Sequence, residues 1–136
     1  MLVIDASAVA DLLLARPNAE PIQGHIRSHD YALHAPHLLD VEVLSALRRV
    51  VATGQASVAR AGQAVEDLLD LPLERYSHEV LAVKVWELRD NFSAYDATYL
   101  ALAEALETGG APLLTADVRF ARAARTHSFV EVLLVS

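Results

Sequence analysis

Residues 2–5 read Leu2-Val3-Ile4-Asp5, a short apolar run that ends in a carboxylate. A strand this apolar is typical of the interior of a sheet that is covered on both faces. A carboxylate is costly there, because a buried and isolated charge is unstable unless it is paired, hydrogen-bonded or bound to a cation. Asp5 is therefore the acid of this chain that folding alone explains least well.

Short apolar stretches alternate with helical patterns along the rest of the chain. The predicted strands are residues 2–5, 31–35, 73–76, 112–115 and 129–135, and the predicted helices are residues 7–15, 19–28, 37–53, 58–71, 77–89, 94–108 and 117–127. This alternation predicts an α/β fold with a mainly parallel central β-sheet flanked by α-helices. At 136 residues the chain has room for one core, so we expect a single domain over residues 1–136.

Three further acids stand in apolar surroundings. Glu42 interrupts the predicted apolar helix, Asp96 opens the helix that follows Ser93, and Asp117 closes the strand before it. Ligands of parallel sheets bind outside the carboxyl ends of the strands, where Asp5 and Asp117 are expected, and the two helical acids could lean over the same edge. Four such carboxylates would repel one another, and a divalent cation is the natural remedy.

The chemistry of these candidates indicates a hard cation. The chain has no cysteine and no HExxH spacing among its histidines, so a zinc site is not expected. Carboxylate oxygens favour Mg²⁺ or Mn²⁺. The residues alone therefore indicate a metal-dependent hydrolase. Ser7 and Thr115 are auxiliary candidates, because each could hydrogen-bond a ligand or instead cap a helix or end a strand.

Each acid also has a purely structural explanation. Asp96 lies in the first turn of its helix, where Ser93 provides a cap and an acid is favourable. Asp117 is a good N-cap for the helix after it. Glu42 could pair with Arg49, seven residues on. The functional interpretation depends on the set, because these explanations are local and none accounts for all four contexts together.

Some residues are assigned to the core or the surface instead. Trp86 and Tyr99 stand at helical spacing with aliphatic residues, which predicts core positions. His34 and His37, on either side of Pro36, are expected at the surface.

Four stretches, in this order along the chain, resemble the motifs of the PIN-domain ribonucleases, and closely those of the VapC toxins. They are Val3-Ile4-Asp5-Ala6-Ser7-Ala8, Pro36 through Glu42 to Leu47-Arg48-Arg49, Tyr95-Asp96-Ala97-Thr98-Tyr99-Leu100-Ala101-Leu102-Ala103, and Leu113-Leu114-Thr115-Ala116-Asp117-Val118-Arg119-Phe120-Ala121. One position departs from the pattern: Ser45 lies where many relatives carry Asn.

The resemblance implies a PIN-like fold and an endoribonuclease that cleaves cellular RNA and so inhibits translation and growth. It implies catalytic and metal-binding roles for Asp5, Glu42, Asp96 and Asp117 around Mg²⁺ or Mn²⁺. It also implies a homodimer and a VapB-like antitoxin. Charge complementarity suggests that the antitoxin inserts Arg or Lys among the acids. Its tail would then lie along apolar residues of the early helices, for which the candidates are Val9, Leu12 and Leu13.

The charge of the chain bears on this expectation. The formal net charge of −7 is unfavourable for RNA binding, because phosphates favour a basic surface. Arg48 and Arg49 follow Glu42, however, and Arg119 and Arg122 follow Asp117, which makes these four arginines candidates for RNA binding. A solvated helix face explains the same residues equally well. The absence of cysteine, of a signal peptide and of a long apolar run is consistent with a cytoplasmic protein.

Alternatives from other classes remain open. A housekeeping RNA-processing nuclease with a PIN domain would carry the same acids, and so would a degenerate PIN module that only binds. A haloacid-dehalogenase type of phosphotransferase requires a second Asp two residues after the first, where this chain has Ser7. A response-regulator receiver requires a late Lys after a strand, but the only lysine, Lys84, falls in a predicted helix.

Overall fold

Five short strands form one parallel sheet in the order β3-β2-β1-β4-β5. The computed structural model describes all 136 residues. The strands are β1 (Leu2–Ile4), β2 (Leu33–Pro36), β3 (Leu73–Tyr76), β4 (Leu113–Thr115) and β5 (Val132–Leu134). Every neighbouring pair runs parallel. The predicted α/β fold is confirmed, and the sheet is parallel throughout.

Helices connect successive strands, as parallel pairing requires. They are α1 (Ala6–Leu13), α2 (Ala19–Ser28), α3 (Leu38–Ala52), α4 (Val58–Asp70), α5 (Ala82–Glu87), α6 (Ala94–Leu106) and α7 (Val118–His127), with a 3₁₀ turn at His78–Val80. Side-chain caps explain where two of them begin, because the hydroxyl of Ser57 accepts from the backbone N–H of Arg60 and that of Ser93 accepts from Asp96. None of the helices combines the length and the apolar character that a bilayer crossing requires.

Two predicted boundaries were wrong for local reasons. The strand predicted to stop at residue 35 continues to Pro36, which pairs with Tyr76 in the sheet, and the next backbone N–H, of His37, still donates to the carbonyl of Tyr76. Proline is tolerated at a strand end, where its missing N–H breaks no further ladder bond. The single helix predicted over residues 77–89 divides into the 3₁₀ turn and the short α5.

The centre of the sheet is the point where the strand order reverses. From β1 the chain builds outward through β2 and β3, and it then crosses to the other side of β1 to form β4 and β5. Leu2, Val3 and Ile4 of β1 are all 0 % exposed. In open parallel sheets, ligands bind at the carboxyl ends of the strands beside such a reversal. The fold therefore places the expected site where β1 and β4 end.

Burial corrects two of the sequence-based assignments. Trp86 is 68 % exposed rather than part of the core, because α5 is short and only its other face, with Val85, packs inward. His34 is buried rather than at the surface, since it lies in β2, between β1 and β3. Its Nδ1 stands 2.7 Å from the hydroxyl of Tyr76. Tyr99 is buried, as predicted.

Candidate active site

A pocket opens at the carboxyl ends of β1 and β4, and the side chains of all four predicted acids line it. The acids come from separate parts of the chain: Asp5 follows β1, Glu42 lies in α3, Asp96 in the first turn of α6, and Asp117 after β4. The remaining lining residues are Ala6, Ser7, Ala10, Asp11, Arg16, Ala46, Arg49, Tyr99 and Ala116. The structure thus brings together residues that lie far apart in sequence.

Asp5 is the most deeply placed acid of the pocket. Its side chain caps α1 by accepting from the backbone N–H of Ala8 at 3.1 Å. Two hydroxyls also donate to it, Ser7 Oγ to Oδ1 at 2.7 Å and Thr115 Oγ1 to Oδ2 at 2.5 Å. Burial raises the pKa of Asp5 to about 6, although these hydrogen bonds lower it in part. The site therefore holds a carboxylate that is costly to ionise without a cation.

The two hydroxyls that hold Asp5 also join the ends of the central strands. Ser7 Oγ accepts from the backbone N–H of Ala116, and Thr115 Oγ1 accepts from that of Asp117. Ser7 Oγ and Thr115 Oγ1 lie 3.3 Å apart. Both side chains thus fix Asp5 relative to the segment that carries Asp117. Asp5, and not Ser7 as predicted, is the N-cap of α1.

Glu42 makes a contact that the sequence did not predict. Its Oε1 accepts a hydrogen bond of 2.6 Å from the hydroxyl of Tyr99. Burial, and then the Glu42 carboxylate, raise the pKa of Tyr99 far above its usual range, so the phenol keeps its proton and remains the donor. Glu42 is not paired with Arg49, which instead donates to Ser45 at 3.4 Å. Tyr99 is thus a site residue as well as a core residue; the signal for this was its spacing, three residues after Asp96 on the same helix face.

Asp96 and Asp117 combine a structural position with a place in the pocket. Burial, together with the charges of Asp117 and Glu42, raises the pKa of Asp96 to about 6, although Arg119 lowers it in part. Asp117 caps α7 through Oδ1, which accepts from the backbone N–H groups of Arg119 and Phe120. Asp117 is therefore an N-cap, as one of the two explanations predicted. Capping uses only Oδ1, and Oδ2 is left for another partner.

The donor set fits a hard divalent cation, although the side chains do not yet converge on one point. The pocket offers carboxylate oxygens from Asp5, Glu42, Asp96 and Asp117, which are the ligands that Mg²⁺ and Mn²⁺ prefer. No group of three or more His, Asp or Glu side chains is close enough together to hold an ion as it stands. Binding would therefore require small side-chain movements, for which the free oxygens of Asp117 and Asp96 are available.

The candidate arginines are distributed unevenly around the pocket. Arg49 lines it, whereas Arg48, Arg119 and Arg122 are exposed outside it. Arg16, which the sequence analysis missed, also lines the pocket, and its Nη1 pairs with Asp11 Oδ1 at 2.9 Å. Arg16 follows the end of α1 and belongs to no periodic pattern, so no sequence signal pointed to it.

The apolar groove expected beside the acids lies elsewhere. Val9 is 0 % exposed and cannot line a groove. Leu12 and Leu13 line a different cleft, together with Ile26 and Leu71, and that cleft shares no lining residue with the acidic pocket. Leu12 and Leu13 face away from the acids because the acidic pocket is lined by a different face of α1.

Comparisons with known proteins identify the family and the fold of this chain. The family model described as the PIN domain matches residues 2–126. Ribonuclease VapC9 of Mycobacterium tuberculosis is 40% identical over 119 residues, covering 88% of this chain and 87% of that protein. Ribonuclease VapC1 of the same organism is 42% identical over 123 residues, covering 89% of each chain. The crystal structure of PAE2754 from Pyrobaculum aerophilum superposes with a TM-score of 0.64 at 20% identity, covering 96% of this chain and 81% of that one, which supports the fold alone.

Proposed function

This chain belongs to the PIN-domain family, among the VapC ribonucleases, and from that premise we propose that it is a metal-dependent endoribonuclease, the toxin of a toxin–antitoxin pair. The observation that carries the proposal is that acids from four separate segments line one pocket at the ends of the central strands. Helix capping explains the positions of Asp5 and Asp117 one at a time, but no structural role requires all four acids to line the same pocket.

In this proposal, Asp5, Asp96 and Asp117 hold Mg²⁺ or Mn²⁺, and Glu42 completes the set directly or through water. A divalent cation so held would polarise the scissile phosphate and lower the pKa of an attacking water. Burial and mutual repulsion raise the pKa values of Asp5 and Asp96. The negative charges of these acids therefore have to be balanced, which a bound cation would do.

The chain's own residues supply orientation and charge. Ser7 and Thr115 hold the Asp5 carboxylate in one orientation through their hydrogen bonds. Asp5 would therefore not have to change its side-chain conformation in order to bind a cation. Tyr99 orients Glu42 from the opposite helix. Arg49 lies in the pocket wall, where it can contact an RNA phosphate, and Arg48, Arg119 and Arg122 extend this role outside the pocket.

The proposed partners follow from the same site. RNA is the substrate, and its cleavage inhibits translation and growth. A VapB-like antitoxin blocks the pocket by placing an Arg or Lys among Asp5, Asp96 and Asp117, since a guanidinium can bind two carboxylates at once. The homodimer that we also propose rests on the family resemblance and not on this site.

Substitution of Asp96 tests this function. Asp96→Asn removes a carboxylate whose oxygens accept no hydrogen bond within the protein, so the variant should fold normally. We expect its RNA cleavage to fall at least a hundredfold. Cleavage by the unmodified protein should require Mg²⁺ or Mn²⁺ and stop in EDTA. The matched control is Asp70→Asn, an exposed acid at the end of α4, which should cleave normally. A folded Asp96→Asn protein with full activity, or cleavage that EDTA does not change, would refute the proposal.

A further inference from the structure

A second cleft continues from the acidic pocket, between α1 and α3. Four residues line both spaces: Ala10 of α1 and Arg16 just after it, and Ala46 and Arg49 of α3. Ala10 and Ala46 present only methyl groups here, so no large side chain separates the cleft from the pocket. We call this space, with a volume of about 380 Å³, the basic cleft.

The basic cleft extends along α3 away from the acids. Glu42 lines only the pocket and Thr53 only the cleft, while residues between them on the helix line both. The distance from Glu42 to Thr53 along the helix axis is about 16 Å, at about 1.5 Å per residue. Pocket and cleft therefore form one groove, and its length suits a chain molecule better than a single small anion.

The two parts of this groove carry opposite charge. The pocket contains the four acids and Asp11, whereas the only charged residues that line the basic cleft are Arg16 and Arg49. The formal net charge of the protein is −7. The cleft is thus a local positive surface in an acidic protein, and it favours an anion over a cation.

Arg49 has no counterion within the protein. None of the ion pairs includes it, and its Nη1 donates only to the neutral hydroxyl of Ser45, at 3.4 Å. Glu42, the acid nearest to it in sequence on the same helix, accepts from Tyr99 instead. A guanidinium has five N–H donors, so most of those of Arg49 are available to an external acceptor.

The turn after α1 holds Arg16 at the junction of pocket and cleft. The backbone N–H of Ala15 donates to the carbonyl of Leu12, and that of Arg16 donates to the carbonyl of Asp11. This is the Schellman pattern of a helix end, with Ala15 at a φ of 53°, where Gly is more usual. Arg16 Nη1 also donates to Asp11 Oδ1 at 2.9 Å. Backbone and side chain of Arg16 are therefore both tied to Asp11.

The pair with Asp11 positions Arg16 and leaves it able to bind. Asp11 Oδ2 accepts from the amide of Asn18 at 2.7 Å, and this amide also donates to the carbonyl of Val135 at 3.1 Å. Asp11 is thus held through both oxygens. The Arg16 side chain remains 42 % exposed, and its pair with Asp11 uses only Nη1. The Nε and Nη2 donors of Arg16 are left for a ligand.

We propose that the basic cleft binds the RNA backbone beside the phosphate in the acidic pocket, with Arg16 and Arg49 donating to phosphate oxygens, so that the strand leaves the site between α1 and α3. This inference rests on the proposed function and gives the path of its substrate. A guanidinium can donate two parallel hydrogen bonds to one phosphate. An acidic peptide in the same groove would be repelled by the acids, whereas the bound cation attracts the scissile phosphate of RNA.

RNA binding in EDTA tests the inference without metal or cleavage. The anisotropy of a fluorescein-labelled single-stranded oligoribonucleotide is measured over a series of salt concentrations. Arg16→Gln and Arg49→Gln should each weaken binding about fivefold or more at low salt. Each should also lower the slope of log K against log salt by about 0.7, the value for one phosphate contact with a single strand. Arg16→Lys keeps the charge and should restore the slope.

Arg27→Gln is the matched control, since it removes the same charge from an exposed site. Arg27 lies on α2 and lines another cleft, which shares no residue with the pocket or the basic cleft. This variant should bind RNA with the affinity and slope of the unmodified protein. Thermal unfolding verifies that each variant is folded, and Arg49→Gln removes no ion pair that the fold could need.

Cleavage kinetics in Mn²⁺ provide the second arm. If the substrate passes through the basic cleft, Arg16→Gln should raise KM about fivefold or more and change kcat much less, because the contact holds the strand away from the reacting phosphate. The same change in the Arg27→Gln protein should leave both constants as they are.

Four results would overturn the inference. The first is the absence of salt-dependent RNA binding in EDTA, and the second is unchanged binding by both Arg16→Gln and Arg49→Gln. The third is an equal loss in Arg27→Gln, which would indicate a diffuse effect of net charge. The fourth is weaker oligonucleotide binding with an unchanged KM, which would assign the cleft to an acidic partner rather than to the substrate. The binding results are separate from the Asp96→Asn test, because they need no nuclease activity.

Discussion

At the scale of single residues, Thr115 carries more of the site than its size suggests. Its side chain is 0 % exposed, and its hydroxyl both donates to Asp5 and accepts from the backbone N–H of Asp117. Thr115→Val keeps the shape but leaves both partners without this contact. We expect a loss of about 1–3 kcal/mol in the free energy of unfolding, measured by urea denaturation, together with slower RNA cleavage.

The control for this prediction is Thr126→Val. The Thr126 hydroxyl donates to the carbonyl of Arg122 on the exposed side of α7, where water can replace it. Its loss should change stability by less than about 0.5 kcal/mol. Equal destabilisation by the two variants would mean that the hydroxyl of Thr115 has no special role.

The raised pKa of Asp5 makes the metal-free protein less stable as pH rises. The folded protein binds this proton up to about pH 6, whereas the unfolded chain releases it near the usual value of 3.8. This difference in pKa stabilises the folded state by its full amount below pH 3.8, and the stabilisation is lost as pH rises through about 6. It amounts to about 3 kcal/mol at 1.36 kcal/mol per pKa unit. Asp96 contributes in the same direction.

Thermal unfolding in EDTA between pH 4 and pH 8 measures this effect. Asp5→Asn removes the titrating group, so its melting temperature should fall less over this range than that of the unmodified protein. Parallel pH profiles for the two proteins would show that Asp5 ionises at its ordinary pKa and that the pocket does not strain it.

At the scale of elements, one hydrogen bond links α3 and α6 across the pocket. The hydroxyl of Tyr99 donates to Glu42, and Tyr99→Phe removes this bond while keeping the buried ring. We expect stability to fall by about 1.5–3 kcal/mol, since the acceptor is charged, and cleavage to slow because Glu42 loses its orientation. Tyr31→Phe, at an exposed tyrosine, is the control and should leave both properties unchanged.

Most elements could be predicted because their signals are local. The helical pattern over residues 58–71 predicted α4, and the apolar run before Asp5 predicted β1. The region around Trp86 was mispredicted, because a six-residue helix at the edge of the fold has the same apolar spacing as a buried one. Spacing shows that a helix has an apolar face, but not whether another element covers it.

At the scale of the whole molecule, a divalent cation should stabilise the fold. The acids repel one another without a cation, and any ion that binds only the folded state shifts the equilibrium by mass action. At a hundred times its dissociation constant, Mn²⁺ should add about 2.7 kcal/mol, seen as a higher melting temperature than in EDTA. Asp96→Asn should reduce this increase, whereas Asp70→Asn should keep it. An equal increase in all three proteins would indicate binding away from the pocket.

The sequence predicted that the four acids would lie together, as they do in the pocket, but not the detailed geometry of this candidate site. Asp5 and Asp117 end neighbouring parallel strands, and the rule that such ends share one edge was enough to bring them together. The contact of Tyr99 with Glu42 depends on how closely α3 and α6 approach, and the place of Arg16 depends on the path of an irregular turn. These are tertiary distances, which no local pattern encodes.

The reversal of strand order at the centre of the sheet has a consequence for the timing of synthesis. β1 is made first but pairs with β4, so that the hydrogen bond from Thr115 to Asp5 spans 110 positions of the chain. A growing chain that has completed α6 carries Asp5, Glu42 and Asp96, yet lacks Asp117 and one neighbour of its central strand. A pocket lined by all four acids can therefore form only after nearly the whole chain has been synthesised, so an activity that requires all four is absent during most of translation.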